Sequence, residues 1–240
     1  MKRFLILIGI LSFTFIPIAK AKEYYYTNKY GVSFTKQEYI FLSNLYFEGY
    51  QDYVTVQDYN NFKESDIESG QINIITSNSS IVPYDITQNT EYKEIKLTTS
   101  CNSSKCFLVT TLTWKKDPRV KSYDVIGAYF TNKDILNGDV STYLMSSNGR
   151  TVYNNYKYDS NGVGCSVKLP SSGDIKVVQE FTVKKEGTIN VSYQQAISNI
   201  TLQNSKNYIF DRLGYGGVFS FQNGMANNFD KMQGLSYKLS

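Results

Sequence analysis

The hydrophobic rhythm of the chain changes twice. A continuous apolar run, "FLILIGILSFTFIPI", follows Lys2 and Arg3. From Phe34 to about residue 69 apolar residues recur at helical spacing, and from about residue 71 onward they alternate with polar ones, the period of a half-buried strand. These rhythms predict a leader (1–21), a helical hairpin (22–70) and a β domain (71–240).

The helical part opens twice on one phrase, "FTKQEY" from Phe34 and "VTVQDY" from Val54. Thr35 with Glu38, and Thr55 with Asp58, have the spacing of a capping box. The hydroxyl accepts from a free amide of the first turn and the carboxylate reaches back to the cap. Phe34 stands where a hydrophobic staple would. The phrase therefore predicts two helix starts within residues 35–69, the first stopped by Gly49 in the left-handed conformation. Tyr39, Leu42, Tyr46 and Phe47 share one helical face, as do Tyr59, Phe62 and Ile67. Tyr50 and Tyr53, in the connector "GYQDYVT", are expected to stay exposed. That connector is too short, and too poor in alternating oxygen ligands, for a calcium loop.

In "DIKVVQEFTVKK", Ile175, Val177, Phe181 and Val183 fall on one face, with Lys176, Glu180, Thr182 and Lys184 on the other. "TINVSY" follows after "KEG", which reads as a hairpin connection, with Ile189, Val191 and Tyr193 together. In "CFLVTTLTW", Leu108, Leu112 and Trp114 oppose Phe107 and Val109. "SYDVIGAYF", "RTVYNNYKY", "GVGCSVKL", "NYIFD" and "GGVFSFQ" complete the set. Nine or ten short strands predict a mainly β fold, an antiparallel β-sandwich preceded by the helical hairpin. Frequent Thr, Ser, Asn and Lys at alternate positions predict at least one wet sheet face.

The cysteines refine this picture. "CNSSKC" places Cys101 and Cys106 at the ends of a short polar loop, and a disulfide is expected there. Zinc is the rival, but the chain has no His and one further Cys, so no metal site and no cofactor are expected. Cys165 is in phase with Val163, Val167 and Leu169, which marks it as core filling rather than a nucleophile.

The leader has a basic start, an apolar centre and the small residues Ala19 and Ala21, the pattern read by a signal peptidase, so cleavage after Ala21 and an extracellular location are expected. No Cys follows for lipid attachment, and "GLSYKLS" at the C-terminus holds no sorting signal, so the product is expected to be released or loosely held. The leader carries three of the 25 basic residues and none of the 21 acidic ones, so the rest of the chain has a net charge of +1. A nearly neutral surface gives no general attraction to nucleic acid, which is not expected as a partner.

Without His there is no Ser-His-Asp triad, Cys-His pair or His-bound metal. Two carboxylates suffice for a glycoside hydrolase, with Asp117, Asp124 and Asp211 as candidates and Asp124 the most interesting. The glycines of "DRLGYGGVFSFQNG" precede a strand rather than a helix and read as a turn or bulge, not a phosphate cradle. Asp134, Asn137 and Asp139 lack the ligand rhythm of a calcium loop.

The segments "GVSFTKQEY…GYQDYVTVQDY", "LTWKKDPRVKSYDVIGAYF" and "GYGGVFSF" resemble small exported proteins of low-GC Gram-positive bacteria. The resemblance implies a bacterial origin and carries over no functional residue. The 21 tyrosines, which suit half-exposed recognition surfaces, favour a secreted binding or surface-associated module for a glycan, a cell-wall polymer or a protein. The aromatic residues expected to bind are Tyr50, Tyr53, Trp114, Tyr123 and Tyr215. The alternatives are a pore-forming protein, in which a hairpin such as 174–195 would meet the membrane, and a His-independent carboxylate hydrolase.

Overall fold

The computed structural model describes residues 23–64, 84–131, 140–154, 156–159, 161–200, 202, 208–210, 218–222, 224–230 and 232–239. The expected leader (1–21), Ile67, Asp134, Asn137, Asp139, Asp211 and the glycines 214, 216 and 217 lie outside these residues.

A two-stranded ladder, β1 (Tyr26–Thr27) with β2 (Ser33–Phe34), precedes the helices. Helix α1 (Lys36–Leu45) starts on the expected capping box: Thr35 N–H donates to Glu38 at 2.8 Å, and Glu38 N–H to the Thr35 hydroxyl at 3.3 Å. Helix α2 (Val56–Glu64) repeats it, with Thr55 N–H to Asp58 at 3.0 Å and Asp58 N–H to the Thr55 hydroxyl at 3.2 Å. Gly49 is left-handed (φ 84°), but it opens the 3-10 turn Tyr50–Tyr53 rather than closing α1, which ends at Leu45. Phe34 is fully buried and meets Tyr59 of α2 edge-on at 5.4 Å, so the apolar residue before the first cap joins the two helices.

The rest is a two-layer sandwich whose described strand pairs are all antiparallel. The six-stranded layer runs β3 (Tyr84–Asn89), β4 (Lys93–Cys101), β5 (Lys105–Trp114), β11 (Lys176–Lys184), β7 (Ser141–Ser146) and β8 (Gly149–Tyr153). The five-stranded layer runs β15 (Leu235–Lys238), β12 (Thr188–Gln194), β6 (Tyr123–Phe130), β10 (Gly162–Lys168) and β9 (Tyr156–Asp159). A small ladder, β13 (Tyr208–Phe210) with β14 (Phe219–Phe221), stands apart from both.

The expected faces hold where the period is cleanest. Ile175, Val177, Phe181 and Val183 are buried between the layers, and Ile189, Val191 and Tyr193 meet them from the opposite layer. Cys165 is buried in the same core, and burial pushes its thiol up to about 12. Cys101 and Cys106 are disulfide-bonded as a cross-strand pair at the β4–β5 turn.

Partner choice departs from the expectation in three places. β11 pairs with β5 and β7, whereas β12 pairs with β6 and β15, so "KEG" is a crossover between layers and 174–195 is not a hairpin. "RTVYNNYKY" is divided, its first half forming β8 in one layer and its second β9 in the other. "NYIFD" and "GGVFSFQ" supply β13 and β14, outside the sandwich layers. An alternating pattern fixes which face is apolar but not which neighbour accepts the strand.

The expected wet faces are largely covered. On the outside of the six-stranded layer, Val109, Val178, Tyr143 and Met145 pack under Leu42, Leu45, Tyr46, Phe47 and Tyr50 of the helical hairpin. On the outside of the five-stranded layer, Val125 packs with Tyr208, Val218, Phe219 and Phe229. Ser122 and Ile200 exchange hydrogen bonds of 2.8 and 2.9 Å, and Val218 N–H donates to the Ser192 hydroxyl at 3.1 Å, which fastens this cover. Gly127 makes the close fit possible: a Cβ there would collide with the Val163 carbonyl and stand 2.8 Å from the Phe219 ring.

Candidate functional site

Tyrosine is concentrated between residues 24 and 53. Tyr24, Tyr25 and Tyr30 are exposed, at 57%, 59% and 43%, while Tyr26, Tyr39 and Tyr53 are half-buried. Tyr25 and Tyr26 both pack against Tyr39 edge-to-face, at 5.3 and 5.4 Å, so the ring just before β1, the first ring of β1 and a ring of α1 form one aromatic ridge. Edge-to-face packing orients each ring, and Tyr26 also stacks on Phe34 at 6.4 Å.

The framework under this ridge is rigid and polar. Asn28 is buried and fully engaged. Its amide donates to the carbonyls of Gln51 and Val54, both at 2.7 Å, and its oxygen accepts from Tyr30 N–H (2.9 Å) and Val32 N–H (3.0 Å). Gln51 reaches the Ser43 hydroxyl at 2.8 Å. The β1–β2 turn, the 3-10 connector and α1 are thereby locked together.

Charge is placed at the edge of the ridge. Asp52 is exposed and accepts from the Tyr26 hydroxyl; this hydrogen bond, then burial, pushes the Tyr26 phenol up to about 12. Tyr53 contacts Phe47 at 6.2 Å, and its phenol is raised by burial and by Asp52 and Asp174, against the opposing charge of Lys29. Lys29 stands 5.1 Å over the Tyr30 ring. The surface therefore combines aromatic faces, hydroxyls, a carboxylate and an ammonium.

Of the four described aromatic residues singled out in the sequence, Tyr53 alone is brought to this surface. Tyr50 was expected to be exposed but is 6% exposed, stacked on Tyr46 at 3.8 Å with Phe47 edge-on at 5.5 Å, because the connector folds down onto the sheet. Trp114 is buried between the layers, where its phase with Leu108 and Leu112 carries it, and meets Tyr193 edge-on at 6.5 Å. Tyr123 is half-buried on the outer face of β6, with Lys168 6.0 Å over its ring. Tyr215 lies outside the described residues. The sequence signal for Tyr24, Tyr25 and Tyr30 was present in "EYYYTNKYG", a tyrosine cluster directly before the first capping box.

The candidate acids are also placed. Asp117 is exposed and paired with Lys121. Asp124 is not on a solvated face but wholly buried, accepting from Ala196 N–H at 2.9 Å and from the Tyr193 hydroxyl. Burial raises its carboxyl to about 7, against the lowering effects of these two donors and of Lys93. Among the described residues, no group of three or more Cys, Asp or Glu side chains is arranged to hold a metal ion. No described helix is long and apolar enough to cross a membrane.

No protein-family model matches the chain, and no curated protein matches its sequence. Two solved structures overlap it in part. The collagen-binding domain of Erysipelothrix rhusiopathiae surface protein RspB matches at 7% identity and a TM-score of 0.34, over 67% of this chain and 47% of that one. A family 9 carbohydrate-binding module from Caldicellulosiruptor kristjanssonii, solved with cellotriose, matches at 11% identity and a TM-score of 0.19, over 49% of this chain and 64% of that one. The chain thus spans less than two thirds of either, and overlaps this loose do not bear on its role.

Proposed function

We propose that the protein is an extracellular binding module whose ligand is a glycan or cell-wall polysaccharide, held by the ridge of Tyr25, Tyr26 and Tyr39 and its flanks Tyr30, Asp52 and Tyr53. The observation that carries the reading is the cluster of exposed and half-buried tyrosines on a locked framework. Single exposed aromatics are ordinary, but several rings gathered on one rigid surface mark a contact site. Sugar rings stack their C–H faces on aromatic faces, and their hydroxyls take hydrogen bonds from phenols and carboxylates. A rigid tyrosine loses little rotamer freedom on binding.

A sheet hairpin entering a membrane has less support, because β11 and β12 belong to opposite layers of a closed core. A carboxylate hydrolase has less support, because Asp124 is wholly buried with both oxygens engaged.

Pull-down of the full chain on insoluble polysaccharides and on bacterial cell walls, with a glycan array beside it, tests the proposal. Retention of the wild type and loss in Tyr25→Ala/Tyr39→Ala is expected. A wild type retained no better than an unrelated β-sandwich would refute it.

A further inference from the structure

At one end of the inter-layer core a buried amine and a buried acid, Lys93 and Asp124, lie beside a half-buried acid, Asp230. Lys93, the first residue of β4, is 3% exposed. Its ammonium lies 5.2 Å over the Trp114 ring and 5.6 Å over the Tyr193 ring. It pairs with one carboxylate oxygen of Asp230 and donates to the Gln195 side-chain oxygen at 3.3 Å. The other Asp230 oxygen accepts from Gln195 N–H at 2.8 Å. The next amide, Ala196 N–H, holds Asp124 at 2.9 Å, and the Tyr193 hydroxyl holds its second oxygen. Successive amides of one strand end therefore fix both acids, and the charges of Lys93 and Asp230 both act on Asp124.

A lysine ammonium buried among aromatic rings and fixed against a carboxylate costs desolvation energy as an ion, a cost that a neutral product removes. We infer that Lys93 and Asp230 condense into an intramolecular amide that cross-links β4 to the segment before β15, with Asp124 carrying the proton.

The step balances. The ammonium passes a proton to the Asp230 carboxylate it contacts, and the neutral Lys93 Nζ attacks Asp230 Cγ. The tetrahedral oxygen is stabilised by the Gln195 N–H, which stands where an oxyanion donor is needed. A second proton leaves the nitrogen as Asp124 delivers one to the departing hydroxyl. The Nζ–Cγ bond forms, one Cγ–O bond breaks, and a single water is released, with no oxidant or cofactor consumed. Fixed contact supplies the effective concentration that free amines and acids in water lack. The bond would tie together positions 137 apart, a covalent brace across the sandwich that is independent of the tyrosine surface.

Mass spectrometry of the reduced, denatured full chain decides the matter. The wild type should weigh one water less than its sequence and yield a branched proteolytic peptide joining Lys93 to Asp230. Lys93→Ala and Asp230→Ala should recover that water. Asp124→Asn, folded by circular dichroism, should keep it, and Asp124→Glu should regain the link at least in part. A folded wild type of full mass, with Lys93 and Asp230 in separate peptides, overturns the inference. An Asp124→Asn variant linked as completely as the wild type removes Asp124 from the mechanism.

Discussion

Tyr46, the C-cap of α1, donates its hydroxyl to the carboxylate of Glu180 on β11 at 2.6 Å, across 134 positions of chain. Tyr143 on the neighbouring strand donates to the other oxygen of the same carboxylate. Burial raises the Glu180 carboxyl above the ordinary range, against these two donors and the Arg150 charge, which lower it. The helical hairpin is thus anchored to the sheet by a polar bond at the centre of an apolar contact. Tyr46→Phe removes one donor from that acid, and a loss of about 1–2 kcal/mol in chemical denaturation is expected. An unchanged midpoint would mean that the contact contributes nothing beyond packing.

Tyr50 and Tyr25 separate packing from binding. Tyr50→Ala empties a stacked site over the sheet and should cost about 3 kcal/mol, by the usual price of truncating a buried aromatic. Tyr25→Ala touches an exposed ring and should change stability by less than about 1 kcal/mol. Thermal melts of the two variants check the contrast, and equal losses would contradict it.

The second capping box works with a distant partner. Asp58 accepts from Thr55 and pairs with Arg150 at 2.6 Å, while Arg150 lies 3.7 Å over the Tyr143 ring. Burial resists ionisation of Asp58, but the Thr55 hydrogen bonds and the Arg150 charge outweigh it and hold the carboxyl below its usual value. Its stabilising effect is therefore present above the unfolded value and lost as pH falls through the folded one. Asp58→Asn should lower stability at neutral pH by about 1–2 kcal/mol and close the gap to wild type in acid. Urea midpoints measured for both proteins down the acid range test this.

Asp124 has the opposite sign. Its folded carboxyl is raised from 3.8 to about 7, chiefly by burial. The contribution is fully present below the unfolded value and is lost as pH rises through about 7. Condensation of Lys93 would remove a cation that lowers this value, so the direction persists in the cross-linked chain. Between pH 4 and 8 the wild type should lose stability relative to Asp124→Asn, and a gain would contradict the placement.

The disulfide closes a short loop at the β4–β5 turn. Chain-entropy reasoning gives about 2 kcal/mol for a loop of this size, so Cys101→Ser/Cys106→Ser should remain folded with a lower midpoint. Loss of folding on mild reduction would show that it matters more than its loop length implies.

What was legible in the sequence was local. Thr35 with Glu38 and Thr55 with Asp58 carry their hydrogen-bond partners three residues away, so both helix starts could be read directly. The faces of β11 and β12 were legible because strand side chains alternate. That the two strands sit in opposite layers was not, since residues facing one core from either side share the same pattern. Two of the aromatic residues expected to be exposed, Tyr50 and Trp114, are instead buried. Trp114 shares the inward phase of Leu108 and Leu112, which argued for burial, whereas Tyr50 is hidden by tertiary packing that no local signal announces. The acids Glu180 and Asp124 read as ordinary strand positions because their tyrosine partners come from remote segments.

Hydroxyl-radical footprinting of the full chain, with and without a polysaccharide that retains it, tests the binding surface most directly. Protection should centre on Tyr25, Tyr30 and Tyr39, while the exposed Tyr92 and Tyr158 stay as reactive as in the free protein. Protection confined to Tyr92 or Tyr158, with the ridge unaffected, would contradict the account.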